Sequence, residues 1–202
     1  MVEFFVNGGS FMWPILGILI VGLAFVGERL YHLVRALKIK DDFAISLASE
    51  IENKGFDNAK KMCEEEVGPI ANLCYNALEV ANEGTEVAEK KLEQTAGIEM
   101  ASLEKNMTWI SLCIATAPML GFLGTIAGMI VAFADIAAAE NISPKIVADG
   151  IGQALYTTAF GLVVAVILQF GQNTVMFIID NMVVSIQKSI TILLESITNK
   201  NK

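Results

Sequence analysis

Three runs of the chain carry no charged side chain: residues 4–27, 106–134 and 150–179, which hold 24, 29 and 30 residues. A helix needs about 20 apolar residues to cross a hydrocarbon core of about 30 Å. Each run therefore predicts a membrane-spanning helix, and the last two are long enough to project beyond the bilayer. Between the first and second runs the pattern turns amphipathic. A helix is expected from Asp41 to Glu66, broken at Lys54-Gly55. Gly68-Pro69 opens another, with Ile70, Leu73, Cys74, Ala77 and Leu78 on one face, and Asn82-Glu83-Gly84 closes it. From Thr85 a helical pattern runs through Leu92, Ile98 and Leu103 to Trp109 without a breaker, so one continuous helix into the second span is expected. The third run predicts a helix continuing past Asp180 to about Ile197, with Val183, Ile186, Ile190, Leu193 and Leu194 as its apolar face. The connection from Asp135 to Asp149 contains the turn cluster Asn141-Ile142-Ser143-Pro144 and is too short for a domain.

The fold class is all-α: a polytopic membrane protein with three transmembrane helices, the longer ones extending into a helical bundle. The expected organisation is 1–35 for an outer N-terminus and first span, 36–105 for a cytoplasmic helical region, and 106–134 for the second span. A short outer loop follows at 135–149, then the third span with its extension at 150–202. Composition agrees, with 54% hydrophobic residues and a mean hydropathy of +0.55. Arg29, Arg35, Lys38, Lys40, Lys105 and Lys188 flank one side of the spans, whereas Glu3, Asp135, Glu140 and Asp149 flank the other, with Lys145 the only base there. The positive-inside rule then puts the N-terminus outside and the 36–105 region and C-terminus inside. No base precedes the first run, so it is expected to stay as an anchor and not to be a cleaved leader.

The net charge is −8, and most of the 22 acids lie between Asp41 and Glu104, which argues against a nucleic-acid partner. Three cysteines (Cys63, Cys74, Cys113) cannot all pair and show no CxxC spacing, and His32 is the only histidine. No metal site, cofactor or catalytic residue is expected, and no nucleotide motif or nucleophile–base set is present.

The spans carry small and polar residues at helical spacing. Gly121, Gly124, Gly128 and Ala132 share a face of the second span, and Gly124 with Gly128 forms the GxxxG spacing of close helix packing. In the third, Gly150, Ala154, Thr158, Gly161, Ala165, Gln169 and Gln172 form a stripe. Thr125 lies nine residues from Ala134 and Thr158 eight residues from Gly150, so both sit roughly 12–14 Å deep, near the midplane. A lone transmembrane Thr often only bonds back to its own helix; two at one depth on antiparallel neighbours make a polar ring once several subunits assemble. No Asp, Glu, Lys, Arg or His occurs in any of the three runs. An ion-motive device needs a titratable group at depth. Either this chain moves no ion, or a partner supplies the group.

At these residues the chain resembles the MotA/TolQ/ExbB proton-channel family, on its ExbB/TolQ branch. The resemblance rests on Glu28-Arg29, Gly68-Pro69-Ile70-Ala71, Leu103 to Trp109, and above all Ala117 to Met129 and Gly150 to Leu162. It implies a homopentameric ring in the inner membrane of a Gram-negative bacterium, surrounding helices of an ExbD/TolR-like partner whose single span bears the proton-binding Asp. It further implies a TonB/TolA-like protein that carries work to outer-membrane import. Thr125 and Thr158 are the implied pore threonines, with Ala154, Gly161, Ala165, Gln169 and Gln172 along the pore-lining stripe. Gln153 stands where many relatives have Glu; with Asp149 it is assigned to the outer mouth. Glu28 and Arg29 are assigned to the inner interface, where either Arg29 only snorkels to lipid headgroups or the pair contacts the loop helices or a neighbouring subunit. A TolQ-like envelope-maintenance motor, a gliding or secretion motor, and a passive scaffold are the competing readings. Ion flux with a co-expressed partner separates motor from scaffold.

Overall fold

The computed structural model describes residues 2–36, 43–138 and 144–200. Every element among them is helical: α1 (Val2–Asn7), α2 (Met12–Ala36), α3 (Phe43–Lys54), α4 (Phe56–Glu65), α5 (Pro69–Glu79), a 3₁₀ turn (Ala81–Glu83), α6 (Thr85–Leu103), α7 (Met107–Ala138) and α8 (Pro144–Lys200). Three helical stretches are long and apolar enough to cross a membrane: α2, the stretch ending in α7, and α8. The residues form two units. One comprises the chain up to Glu28 together with 106–174, and the other 29–105 together with 175 onward.

In the first unit α2, α7 and α8 meet around Ile15, Cys113, Ala117, Val164 and Leu168. Large apolar side chains point the other way. Trp13, Ile20, Met119, Phe122, Ile130, Leu155 and Phe170 are exposed, the inverse of a water-soluble fold. That is the stable arrangement when the surroundings are hydrocarbon, because lipid solvates Phe and Leu and leaves close helix packing to small residues. Gly22 lets Leu168 approach α2, and Gly171 does the same for Val26. Pro118 lies within α7. Its missing N–H is tolerated in a span where neighbouring helices re-satisfy the freed carbonyl. Before α2 the chain turns at Gly9, whose φ of +73° only glycine adopts at low cost. This positions α1 so that Phe5 packs edge-on against Trp13 and Phe160. Helix α1 has no counterpart in the sequence reading, since its six residues show no usable period.

In the second unit α3 packs on α4, α4 on α5 and α5 on α6. Gly55 (φ +84°) makes the break expected at Lys54-Gly55, and Pro69 occupies the first turn of α5. Leu73, Cys74, Ala77 and Leu78 are buried as expected, while Ile70 is half-buried. The α8 continuation buries Ile179, Met182, Ile186, Leu193 and Ile197; Val183, Ile190 and Leu194 are half-buried. Lys200 Nζ donates to the Glu52 carbonyl at 3.1 Å, fastening the end of α8 to α3.

One expectation fails. The helix from Thr85 does not run continuously into the second span, because it stops at Leu103 and restarts at Met107. Asn106 adopts the left-handed conformation (φ 66°), which Asn tolerates better than most residues. Its carbonyl accepts the N–H of Trp109 at 3.1 Å, starting the first turn of α7. Its side-chain Nδ2 donates to Glu28 Oε2 at 2.8 Å. The polar triplet Glu104-Lys105-Asn106 is the signal that the apolar spacing on either side concealed. At the other end α7 extends to Ala138 and α8 starts at Pro144, so both helices outrun their charge-free runs. Of the expected turn cluster, residues 141–143 lie outside the described residues.

Candidate functional site

The two long spans meet along glycines. A Cβ on Gly161 would lie 2.6 Å from the Ala117 carbonyl oxygen and 3.2 Å from Gly121 Cα. One on Gly121 would lie 2.9 Å from the Thr157 carbonyl oxygen, and one on Gly124 2.8 Å from Thr157 Oγ1. Toward the 138–144 connection, Gly128 faces Ala154 and Gly150 faces Ala132. The expected packing residues Gly121, Gly124 and Gly128 therefore form one seam between α7 and α8 of a single chain. The same seam takes in two residues expected to line a pore. Ala154 is 1% exposed and Gly161 is buried, each held by α7 of its own chain.

Close approach of the backbones brings hydroxyls to carbonyls across the seam. Thr125 and Thr158 are half-buried and hydrogen-bonded to each other. Thr125 Oγ1 also lies 2.8 Å from the Ala154 carbonyl oxygen on α8 and 3.3 Å from that of Gly121 on its own helix. Thr158 Oγ1 lies 3.2 Å from the Gly121 carbonyl oxygen, reaching the other way. The pair is thus a cross-helix device at one depth, and not two hydroxyls bonded separately to their own helices. Thr157, which the sequence reading passed over, is 2% exposed and donates to the Ala154 carbonyl at 2.7 Å. It lies three residues from Ala154 and four from Gly161, so it fits the seam spacing as well as Thr158 does; that was the available signal.

Further along α8, Ala165 is half-buried, Gln169 Nε2 donates to Asn173 Oδ1 at 3.0 Å, and Gln172 Nε2 donates to Ser111 Oγ at 2.7 Å. Ser111 is a second polar residue that sequence spacing did not single out. Thr174 Oγ1 donates to the Phe170 carbonyl of its own helix at 2.9 Å. At the opposite end, Gln153 and Asp149 share a 490 Å³ pocket with Asn7, Gly152, Tyr156 and neighbours. The Gln153 amide lies against Gly9, where any Cβ would clash with it.

At the charged end of α2, Arg29 is 6% exposed and its Nη1 donates to the Ser102 carbonyl at 3.4 Å. This bond is a contact with α6, one of the loop helices. Glu28 receives the Asn106 bond described above. Cys63 and Cys74 are buried free thiols on α4 and α5. Burial, with Glu64 adding to it, pushes the Cys63 thiol up to about 12, and burial raises Cys74 likewise. These thiols are inert packing residues at neutral pH.

A paired hydroxyl site, in two runs that hold no Asp, Glu, Lys, Arg or His, is joined by a family match. Residues 58–188 match the model of the MotA/TolQ/ExbB proton channel family. The chain belongs to this family. A putative biopolymer transport protein ExbB homolog of Methanothermobacter thermautotrophicus is 29% identical over 168 residues, covering 83% of this chain and 60% of the relative. A putative biopolymer transport protein ExbB-like 1 of Synechocystis is 28% identical over 170 residues, 82% of this chain and 66% of the relative. The biopolymer transport protein ExbB of Xanthomonas campestris is 37% identical over 89 residues, 44% of this chain and 35% of the relative. The chain thus spans less than two thirds of the length of the first two relatives. The family is one of proton channels and not of enzymes.

Proposed function

We propose that this chain is the channel and stator subunit of an inner-membrane motor driven by the proton-motive force. Five copies surround the single spans of an ExbD/TolR-like partner, and a TonB/TolA-like protein carries the work to outer-membrane import. The 29–105 region and the end of α8 lie in the cytoplasm; the 138–144 connection and α1 lie outside. The observation that carries the reading is the hydroxyl pair of Thr125 and Thr158, at matched positions in runs that hold no Asp, Glu, Lys, Arg or His. Hydroxyls exchange hydrogen bonds with a carboxyl group but cannot store a proton at neutral pH. A channel built this way needs its proton carrier from another chain, and an Asp on the partner's span supplies it.

The stripe below the pair supports the same reading. Ala165, Gln169 and Gln172 lead from the threonines toward the cytoplasmic end, where amides hold water in a vestibule. Gln153 and Asp149 stand at the outer mouth, with Asp149 the charge available there to attract cations. Glu28, bonded to Asn106, and Arg29, bonded to the Ser102 carbonyl, stand at the inner interface. The test is reconstitution into vesicles with a pH gradient. Proton uptake is expected for the chain with its partner. It is expected to be absent for the chain alone, and absent when the partner's intramembrane Asp is replaced by Asn. Uptake by the chain alone would overturn the reading.

A further inference from the structure

Three hydroxyls and two carbonyls make up the cross-helix network, and counting protons against lone pairs fixes its direction. Thr157 and Thr125 both lie within hydrogen-bond reach of the Ala154 carbonyl, at 2.7 and 2.8 Å. That oxygen also serves the α8 ladder. A carbonyl oxygen has two lone pairs, so three donors cannot all be satisfied there. Thr157 has no alternative. It is 2% exposed and wedged against Gly124, where a Cβ would come within 2.8 Å of its Oγ1. Thr125 has one, because Thr158 is its direct neighbour. Thr158 in turn reaches the Gly121 carbonyl at 3.2 Å.

We propose that Thr157 is a positioning residue that sets the proton order of the pair to Thr125→Thr158→Gly121 carbonyl, so that the pair offers lone pairs, and no proton, to an approaching acid. In this order both hydroxyl protons are used inside the chain. Thr125 Oγ1 keeps two lone pairs and Thr158 Oγ1 keeps one. A carboxylate, which only accepts, finds no donor at the pair, whereas a protonated carboxyl finds acceptors. The inference rests on the proposed function: the pair binds the partner's acid while the acid holds its proton, and releases it once the proton has left. It also gives Gly124 a second role, since only a glycine leaves room for Thr157 to stay on the Ala154 carbonyl.

Proton-detected solid-state NMR on the full complex in lipid reads the order directly. In the native protein the Thr125 and Thr158 hydroxyl protons should be protected from exchange, with the Thr158 proton correlated to the Gly121 carbonyl carbon. In Thr157→Val the Thr125 proton should shift its correlation to the Ala154 carbonyl carbon and proton uptake should fall, while Thr157→Ser should restore both. Hydroxyl protons that exchange freely, or that correlate with the partner's carboxylate in the native protein, would overturn the assigned order. So would a Thr157→Val protein with native correlations. A native complex without proton uptake would instead overturn the proposed function, and the inference with it.

Discussion

Gly161→Ala tests whether the seam is as tight as its geometry requires. The new Cβ would stand 2.6 Å from a backbone carbonyl oxygen of Ala117, and ordinary contact begins at 3.4 Å. Neither atom belongs to a flexible side chain, so the two helices must part by about 0.8 Å at that level. The Thr158 bond to the Gly121 carbonyl, 3.2 Å long, would then stretch to about 4 Å and be lost. Overpacking costs about 1–3 kcal/mol, and a lost hydrogen bond about 0.5–1.5. The helix propensity of Ala offsets about 1 kcal/mol. The net loss is about 0.5–3.5 kcal/mol. It should be read from denaturing-detergent unfolding in mixed micelles, followed by Trp fluorescence. Gly128→Ala is the internal control: the nearest atoms to its Cβ all belong to Ala154, at 3.2 Å or more, and it should change stability by about 0.5 kcal/mol or less. Equal effects at positions 161 and 128 would refute the closer approach at Gly161.

Other outcomes follow from single sites. Gly17→Ala and Gly27→Ala, with nothing within 4 Å in the chain, should stabilise an isolated subunit by up to about 1 kcal/mol; a fall in oligomer mass in the same variants would mark those positions as subunit contacts. Asn106→Val forces a β-branched residue into φ 66° and removes the bond to Glu28; a loss of about 2 kcal/mol is expected, with Asn106→Gly much milder. The Cys63 thiol, raised from 9.0 to about 12, should hold about a thousandfold less thiolate at pH 8 than a free cysteine, so iodoacetamide should label it only on unfolding. Because the folded chain keeps a proton that the unfolded chain loses, that group is stabilising below about pH 9 and the stability is lost as pH rises through about 12. Stability flat across that window would contradict the burial. Thr174→Val should leave proton uptake nearly unchanged, since its hydroxyl serves only the Phe170 carbonyl.

The spans were legible because hydropathy over twenty or more residues is a strong, local signal, and the break at Gly55 because glycine punctuates. The interruption at residues 104–106 was not, because Asn106 ends a helix through its own conformation and a bond to Glu28, 78 residues away in the chain. The threonine pair was legible as two residues at equal depth. Periodicity alone could not decide which face of each stripe turns inward. Ala154 and Gly161, expected along the pore-lining stripe, pack against α7 within the chain, since the smallest residues go where backbones approach most closely. Thr157 escaped notice for the same reason: beside Thr158, only the helix crossing reveals which hydroxyl points into the seam.

The most direct measurement is proton uptake into vesicles holding the chain and its partner, comparing the native chain with Thr125→Val and Thr158→Val singly and together. Valine keeps the shape and removes the hydroxyl. If the pair lies on the proton path, uptake in the double variant should fall about tenfold or more, as expected for loss of the hydrogen bonds that hold the carboxyl, with the oligomer mass unchanged. Native uptake in the double variant, beside a functional partner, would contradict the account and leave the threonines as packing residues.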